Sequence, residues 1–303
     1  MPDFSPIALF VYNRPLHTLQ TLEALAQNQG AAESHLVIFS DGVKDESDEQ
    51  AVQAIREVRA IIRQRKWCGS VEIVERADNW GLARNIIDGV TQLVQRFGRI
   101  IVLEDDMVSA PGFLTYMNEA LDLYAEEPRV GCIHAWTYDM DTSDTSNTTF
   151  FLPGADCWGW ATWKRGWDCF VEDGIRLKQE LQAKNAIDVF NRRGTYNYMK
   201  MLEDQIRGNN HSWAVRWHAS LVVHDKLCLH PTIPLIENIG TDGSGTHFKK
   251  PMSLHQKKAP YLSISKIPLE EAMWFYTQMK KINAKEKYRK YLHKVLQIAG
   301  IKF

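Results

Sequence analysis

Four short apolar runs, each followed by a stretch of helical periodicity or an acidic turn, constrain this chain more than any other feature of its sequence. The runs IALFVY (7–12), HLVIFS (35–40), VEIVER (71–76) and RIIVLE (99–104) have the length and composition of strands. Between them lie TLQTLEALAQ (18–27), EQAVQAIREVRAIIRQ (49–64) and GLARNIIDGVTQLVQRF (81–97), whose apolar residues recur at helical spacing. Strict alternation of strand and helix predicts parallel βαβ units and an α/β fold with an open, doubly wound, mostly parallel sheet flanked by helices. In such a sheet the ligand sits beyond the carboxyl ends of the strands. The polar clusters of this half all fall just after one of those strands.

The chain of 303 residues is long enough for one large α/β domain or a domain with an appended subdomain. DTSDTSNTTF (141–150) reads as a loop, and the stretch after it mixes shorter elements with aromatic-rich turns. No repeat or linker divides the chain before about residue 255. The tail 256–303 is helical in pattern and basic from Lys280 onward. It reads as a solvated helix packed on the domain, with contact to an anionic membrane surface as the alternative. A formal net charge of −1 gives no overall field for nucleic acid. Five cysteines without a CxxC pair suggest neither a zinc site nor a disulfide framework and fit a reducing compartment. The N-terminus MPDFSPIALFVYNRP has no basic region followed by a long apolar stretch, so the expected address is the cytoplasm.

Glu104, Asp105 and Asp106 end the fourth apolar strand, where a loop can aim carboxylates into the cleft at the switch point. Adjacent carboxylates offer the hard oxygen ligands that Mg²⁺ or Mn²⁺ prefers. A metal held there could bridge two phosphates and stabilise a departing diphosphate; an acidic turn before APGFLTYMNEAL is the plain alternative. Asn13, Arg14 and Pro15 follow strand one, with Arg14 suited to a phosphate and Pro15 to a helix start. Asp41 and Gly42 follow strand two, where a carboxylate can accept the N3–H of a uracil or form an Asx turn. Asn79, Gly81 and Asn85 follow strand three, where a glycine and a helix start suit an anion.

YNRP (12–15), SDG (40–42), NWGLARN (79–85) and IIVLEDD (100–106) resemble the ordered motifs of GT-A glycosyltransferases. The stretch 102–136, from VLEDDMVSAPGF to GCIHAW, is similar to the N-acetylglucosaminyltransferase I type and its bacterial sugar-transferase relatives. CWGWATWKRGW (157–167), SWAVRW (212–217) and NIGTDGSGTH (238–247) match those bacterial relatives too. The resemblance spans roughly 7–248. It implies a GT-A (Rossmann-like) fold, a UDP-sugar donor, Mn²⁺ or Mg²⁺, and inversion at the transferred carbon, with N-acetylglucosamine the favoured sugar. It also implies that Asp41 contacts uracil, that Arg14 contacts the nucleotide, and that Asp106 holds the metal, with Asp105 beside it. The chain then divides into a transferase domain, 1–255, and the basic helical tail, 256–303. Within the domain, 1–140 is the nucleotide-sugar half and 141–255 the acceptor and catalytic half. The tail has no clear counterpart in the family.

An inverting transfer needs a base for the acceptor hydroxyl. YMKMLEDQIRGNNHSW (198–213) offers Asp204 first and Glu203 next, with exposed helix charges as the alternative reading; Asp156 and Asp173 are outside candidates for the same role. In 238–247, Asp242, Ser244 and His247 can line the donor site, and His247 can add a metal or phosphate contact. Trp158 and Trp160 can stack on an acceptor sugar, or belong to an aromatic core. The expected function is transfer to a glycan or lipid-linked glycan acceptor, as in bacterial surface polysaccharide synthesis. A lipid-linked acceptor would suit a tail lying against the inner face of the membrane. A sugar nucleotidyltransferase and a non-catalytic glycan-binding protein are the rival classes.

Overall fold

The structure, a computed structural model, describes residues 4–143, 145–243 and 258–298, with the backbone alone for 286 and 288–298. Its first half runs β1 (Ile7–Val11), α1 (Pro15–Ala26), β2 (His35–Ser40), α2 (Glu49–Ile61), β3 (Ser70–Glu75), α3 (Gly81–Phe97) and β4 (Arg99–Glu104). There follow β5 (Met107–Ser109), α4 (Phe113–Leu123), β6 (Val130–His134), β7 (Thr149–Pro153), β8 (Trp160–Trp163) and α5 (Lys164–Trp167). The chain then forms α6 (Gly174–Ala183), α7 (Ile187–Phe190), α8 (Tyr198–Ile206), α9 (Trp213–Val223), β9 (Leu227–Pro231), β10 (Ile236–Asn238) and α10 (Met273–Ile298). The expected strands and helices of the first half are thus present, and the stretch read as a loop gives up its last two residues to β7.

An eight-stranded sheet has the order β3-β2-β1-β4-β8-β6-β9-β7. β3, β2, β1 and β4 are mutually parallel, and β8 is reversed between β4 and β6. β9 runs parallel to β6, and β7 closes the edge antiparallel to β9. Most strands therefore point one way, as the alternating sequence predicts. The period of two places successive residues on opposite faces. Ile7, Leu9 and Val11 join one apolar cluster with Leu22, Leu25, Phe113 and Met117, from α1 and α4. Ala8 and Phe10 join the other with Ile86, Val90 and Leu93 of α3 and Trp213 and Trp217 of α9. Burial on both faces explains why these strands read as unbroken apolar runs.

Short signals set the helix ends. Pro15 opens α1, Asp48 accepts from Ala51 N at 3.0 Å at the start of α2, and Gly98, with φ 78°, ends α3. The tail forms the expected helix, and its first turns are seated on the domain. Phe275, Tyr276 and Met279 pack with Phe150 and Leu152 of β7, and Arg193 pairs with Glu271 at 2.7 Å. No helix among the described residues is long and apolar enough to cross a membrane.

Candidate active site

The carboxyl end of β4 carries Glu104, and the turn after it buries Asp105 and Asp106. Its backbone is fixed from two sides. Thr21 Oγ1 of α1 donates to Asp105 O at 2.8 Å, and Ile239 N donates to Asp106 O at 2.9 Å. Arg14, at the head of α1, lies across both carboxylates. It pairs with Asp105 through Nη2 and with Asp106 Oδ2 through Nη1 at 2.9 Å. Burial alone would lower the pKa of Arg14, but the two carboxylates more than reverse that and hold the guanidinium charged. One guanidinium does not offset three acids. Burial, then the charges of Asp106 and Asp105, push Glu104 up to about 8. Burial pushes Asp105 up to about 6 against the opposing pull of Arg14.

This donor set fits a hard divalent cation. Asp106 Oδ1 is buried without a hydrogen-bond partner, an arrangement costly for an ionised oxygen and suited to a metal ligand. The turn Gly240–Asp242 covers the cluster so closely that a Cβ on Gly240 would collide with Asp106 Oδ2. His17 of α1 ties down that turn by pairing with Asp242 at 3.2 Å. β10, just before it, pairs antiparallel with β5, just after Asp106. Ser244 and His247, expected beside the metal, lie outside the described residues.

The clusters after β2 and β3 meet as expected, though in a different role. Asp41 Oδ1 accepts from Gly42 N (2.9 Å) and Trp80 N (2.8 Å). Its Oδ2 accepts from Gly81 N (2.8 Å) and Asn79 Nδ2 (3.0 Å). A carboxylate has about four lone-pair sites, so Asp41 is taken up in holding the start of α3 and has none left for a uracil N3–H. Asn79 also donates to Gly42 O at 2.9 Å, and Asn85 links Arg76 to Gly81 O. Gly81 has φ 73°, a left-handed turn that admits glycine without strain. These residues build a wall at the carboxyl ends of β2 and β3. Asn13 stands partly exposed next to Arg14.

In the second half the expectations divide. Trp160 is 1% exposed and stacks on Trp213 at 5.5 Å, with Trp167 and Trp217 around it, so it is core and cannot receive a sugar. Trp158 is partly exposed and meets Trp136 edge to face at 4.7 Å. Asp173 caps α6 by accepting from Ile175 N at 2.8 Å and Arg176 N at 3.1 Å, a structural role. Glu203 and Asp204 sit on α8, which packs on α6, α7 and α9. Glu203 pairs with Lys178 and Asp204 with Lys200, each at 2.7 Å, and those bonds lower both pKa values. None of these bonds joins them to the β4 cluster. Sequence reading missed Arg192, His134 and His230, which gather around Asp156; they are single residues far apart in the chain, and no local motif marks them.

A model of the GNT-I family matches residues 1–187, more than half of the chain. No curated protein matches by sequence. Among solved structures, the mannosyltransferase PcManGT from Pyrobaculum calidifontis, in complex with GDP-Man and Mn²⁺, aligns at TM-score 0.37 and 10% identity over 74% of this chain and 70% of its own. S. aureus TarS aligns at TM-score 0.29 and 13% identity over 48% of this chain and 24% of its own. Mouse xyloside xylosyltransferase 1 aligns at TM-score 0.30 and 14% identity, over 44% and 53%. The chain therefore spans about a quarter of TarS and about half of the xylosyltransferase. Likenesses this slight carry no weight for chemistry or substrate.

Proposed function

Because the chain belongs to the GNT-I family, and is thereby a glycosyltransferase, we propose that it moves a sugar, N-acetylglucosamine foremost, from a UDP-sugar to a hydroxyl of a glycan or lipid-linked glycan. The observation that carries this reading is the buried Asp105–Asp106 pair under Arg14, with Asp106 Oδ1 left unpartnered. Asp106, with Asp105, would hold Mn²⁺ or Mg²⁺. When bound, such a cation supplies charge stabilisation to the departing diphosphate. The family assignment displaces the nucleotidyltransferase and glycan-binding alternatives.

The residues of the chain do the rest. Arg14 is a fixed cation beside the carboxylates, able to turn toward a phosphate oxygen when a divalent ion takes over their charge. The turn Gly240–Asp242 shields the cluster from water, which strengthens the electrostatics within. The wall built on Asp41, Asn79 and Gly81 fixes the start of α3 at the edge of the same cleft. Inversion requires attack from the face opposite the diphosphate, assisted by a carboxylate from the second half. Contact of the basic tail with the inner membrane face, and a lipid-linked acceptor there, complete the proposal.

Calorimetric titration of UDP and then of a panel of UDP-sugars, with Mn²⁺ and with chelator, tests it. Manganese-dependent binding that discriminates among the sugars is the expected result. Equal binding with chelator would remove the metal from the reading, and no binding at all would remove the donor.

A further inference from the structure

A second cluster of titratable groups stands past the end of β6, beside the sheet end that carries Asp106. In β8, Trp160 is registered with Val102 of β4 on one side and His134 of β6 on the other. Val102 and the end of β6 are thus level and two strand spacings apart, ~10 Å, and β4 runs two residues further to Glu104. Beyond β6, Asp156 lies against His134 and His230, with one side-chain donor atom of each within 4.8 Å of the others. Backbone bonds fix this segment relative to the metal loop: Ala135 N donates to Gly159 O (2.9 Å), Leu235 N to Ala135 O (2.8 Å), and Ile239 N to Asp106 O (2.9 Å). Between the two clusters is Cys157, whose buried thiol feels the charges of Asp156, Glu104 and Asp106 together.

The three side chains have metal-like spacing, but their hydrogen bonds argue against a metal. Trp158 N donates to His134 Nε2 at 3.2 Å, which puts the ring proton on Nδ1, facing His230 Nδ1 at 3.3 Å. That bond joins the two Nδ1 atoms and leaves His230 Nε2 buried without a hydrogen-bond partner, while Arg192 already supplies a cation beside Asp156. Arg192 is itself buried. Its Nη2 lies 3.4 Å from Asp156 Oδ2 and 3.2 Å from Ala155 O. Its backbone is left-handed, with φ 50°, a conformation that a non-glycine residue keeps only where its surroundings impose it.

Arg192 holds Oδ2, while the Asp156 side chain keeps 34% of its surface open. Aromatic side chains stand near it. Tyr196, 46% exposed, feels the charge of Asp156 and leans on Tyr198 at 4.3 Å, and Trp158 is two residues along the chain. A carboxylate with partly exposed aromatic side chains near it suits a sugar that must present one hydroxyl. Cys157, next to Asp156 in the chain, lies within electrostatic reach of both Asp156 and Asp106, so the open carboxylate faces the region between the two clusters.

We propose that Asp156 takes the proton of the acceptor hydroxyl, with Arg192 as its positioning residue and Tyr196 and Trp158 as walls of the acceptor site. The assignment rests on the transferase reading above. The acceptor oxygen forms its bond to C1 as the bond from C1 to the diphosphate oxygen breaks. The electron pair leaves on the diphosphate, and the proton passes to an Asp156 carboxylate oxygen.

Steady-state transfer by Asp156→Asn, beside Asp204→Asn and Glu203→Gln, tests this. Asp156→Asn should lose on the order of 10²–10⁴ in kcat and bind the UDP-sugar as the wild type does. Arg192→Lys should lower kcat while leaving donor binding and the donor KM unchanged, a split that a merely structural arginine would not give. The two α8 variants should keep kcat within roughly threefold. Unchanged kcat in Asp156→Asn, or loss of donor binding instead of turnover, overturns the proposal. If the Asn variant does not fold, Asp156→Glu carries the test, with reduced kcat at unchanged donor binding expected and unchanged kcat overturning. Absence of turnover by the wild type across the UDP-sugar panel would sink the donor reading and this inference together. Turnover by wild type and Asp156→Asn alike sinks this inference alone.

Discussion

At the end of β4, Asp105 and Asp106 are buried and share the guanidinium of Arg14, whereas on α8 Glu203 and Asp204 stand near solvent with Lys178 and Lys200. Both are adjacent acidic pairs within reach of basic side chains. In the first, a low-dielectric site holds more negative than positive charge, so Glu104 and Asp105 are driven toward protonation. In the second, each carboxylate has its own lysine and water screens the remainder, so both acids are held ionised. Burial that leaves adjacent acids uncompensated is what suits the β4 pair, and not the α8 pair, to the cation proposed above.

Removing one acid from the buried pair should have the largest effect. Asp106→Ala is expected to lower transfer by roughly 10³-fold, about 4 kcal/mol of transition-state stabilisation. Manganese-dependent UDP binding, followed by calorimetry, should disappear with it. If manganese still strengthens UDP binding in this variant, the metal is held elsewhere and the contrast with α8 loses its meaning.

Removing the shared cation should come next. Arg14→Met leaves two buried carboxylates facing each other, and breaking such a pair costs about 3 kcal/mol of stability in the metal-free protein. Because a divalent ion would replace the lost charge, Mn²⁺ should raise the Tm of this variant more than that of the wild type. Equal shifts in thermal melts would mean that Arg14 and the metal do not answer the same excess charge.

Much of the first region was legible because its determinants are local. Apolar runs of strand length fixed β1, β2 and β4, and the three acids directly after the fourth run stand at a strand end by adjacency alone. Roles that depend on contacts far along the chain were not legible. Asp41 was placed correctly at a strand end, yet the N–H groups that fill its lone pairs come from Trp80 and Gly81, some forty residues on. Trp158 and Trp160 are two residues apart and chemically alike, but β8 turns Trp160 into the core while Trp158 precedes the strand. Arg192, inside NRRG, looks like any exposed basic residue until the fold buries it beside Asp156.

A smaller effect sharpens the comparison through protons. The folded pKa of Glu104, about 8, lies above its ordinary value of 4.5, and that of Asp105, about 6, above 3.8. Both groups therefore hold protons in the folded state that the unfolded chain has released. Their contribution to stability is full below the ordinary values and declines as pH rises toward 8 and 6 respectively. A cation favours the ionised forms, so metal binding should release protons, and affinity should rise with pH across 6 to 8, by at most about tenfold per unit for each proton released. Titrations in two buffers of different ionisation enthalpy measure the proton count directly. A count of zero at pH 7 would contradict the excess charge assigned to β4.

The smallest effect belongs to α8. Lys200 sits one helical turn before Asp204 and pairs with it at 2.7 Å across a solvated face. Pairs of this kind compete with water on nearly equal terms. Asp204→Asn should therefore shift Tm by less than about 2 °C and leave manganese-dependent UDP binding as it was. Its melting curve should also respond to pH as that of the wild type does between 6 and 8, because the acids that titrate there are at β4. A large loss of transfer in Asp204→Asn with donor binding intact would show that α8 meets the acceptor after all. The distinction between the two acidic pairs would then be one of task, metal against proton, and not of site against surface.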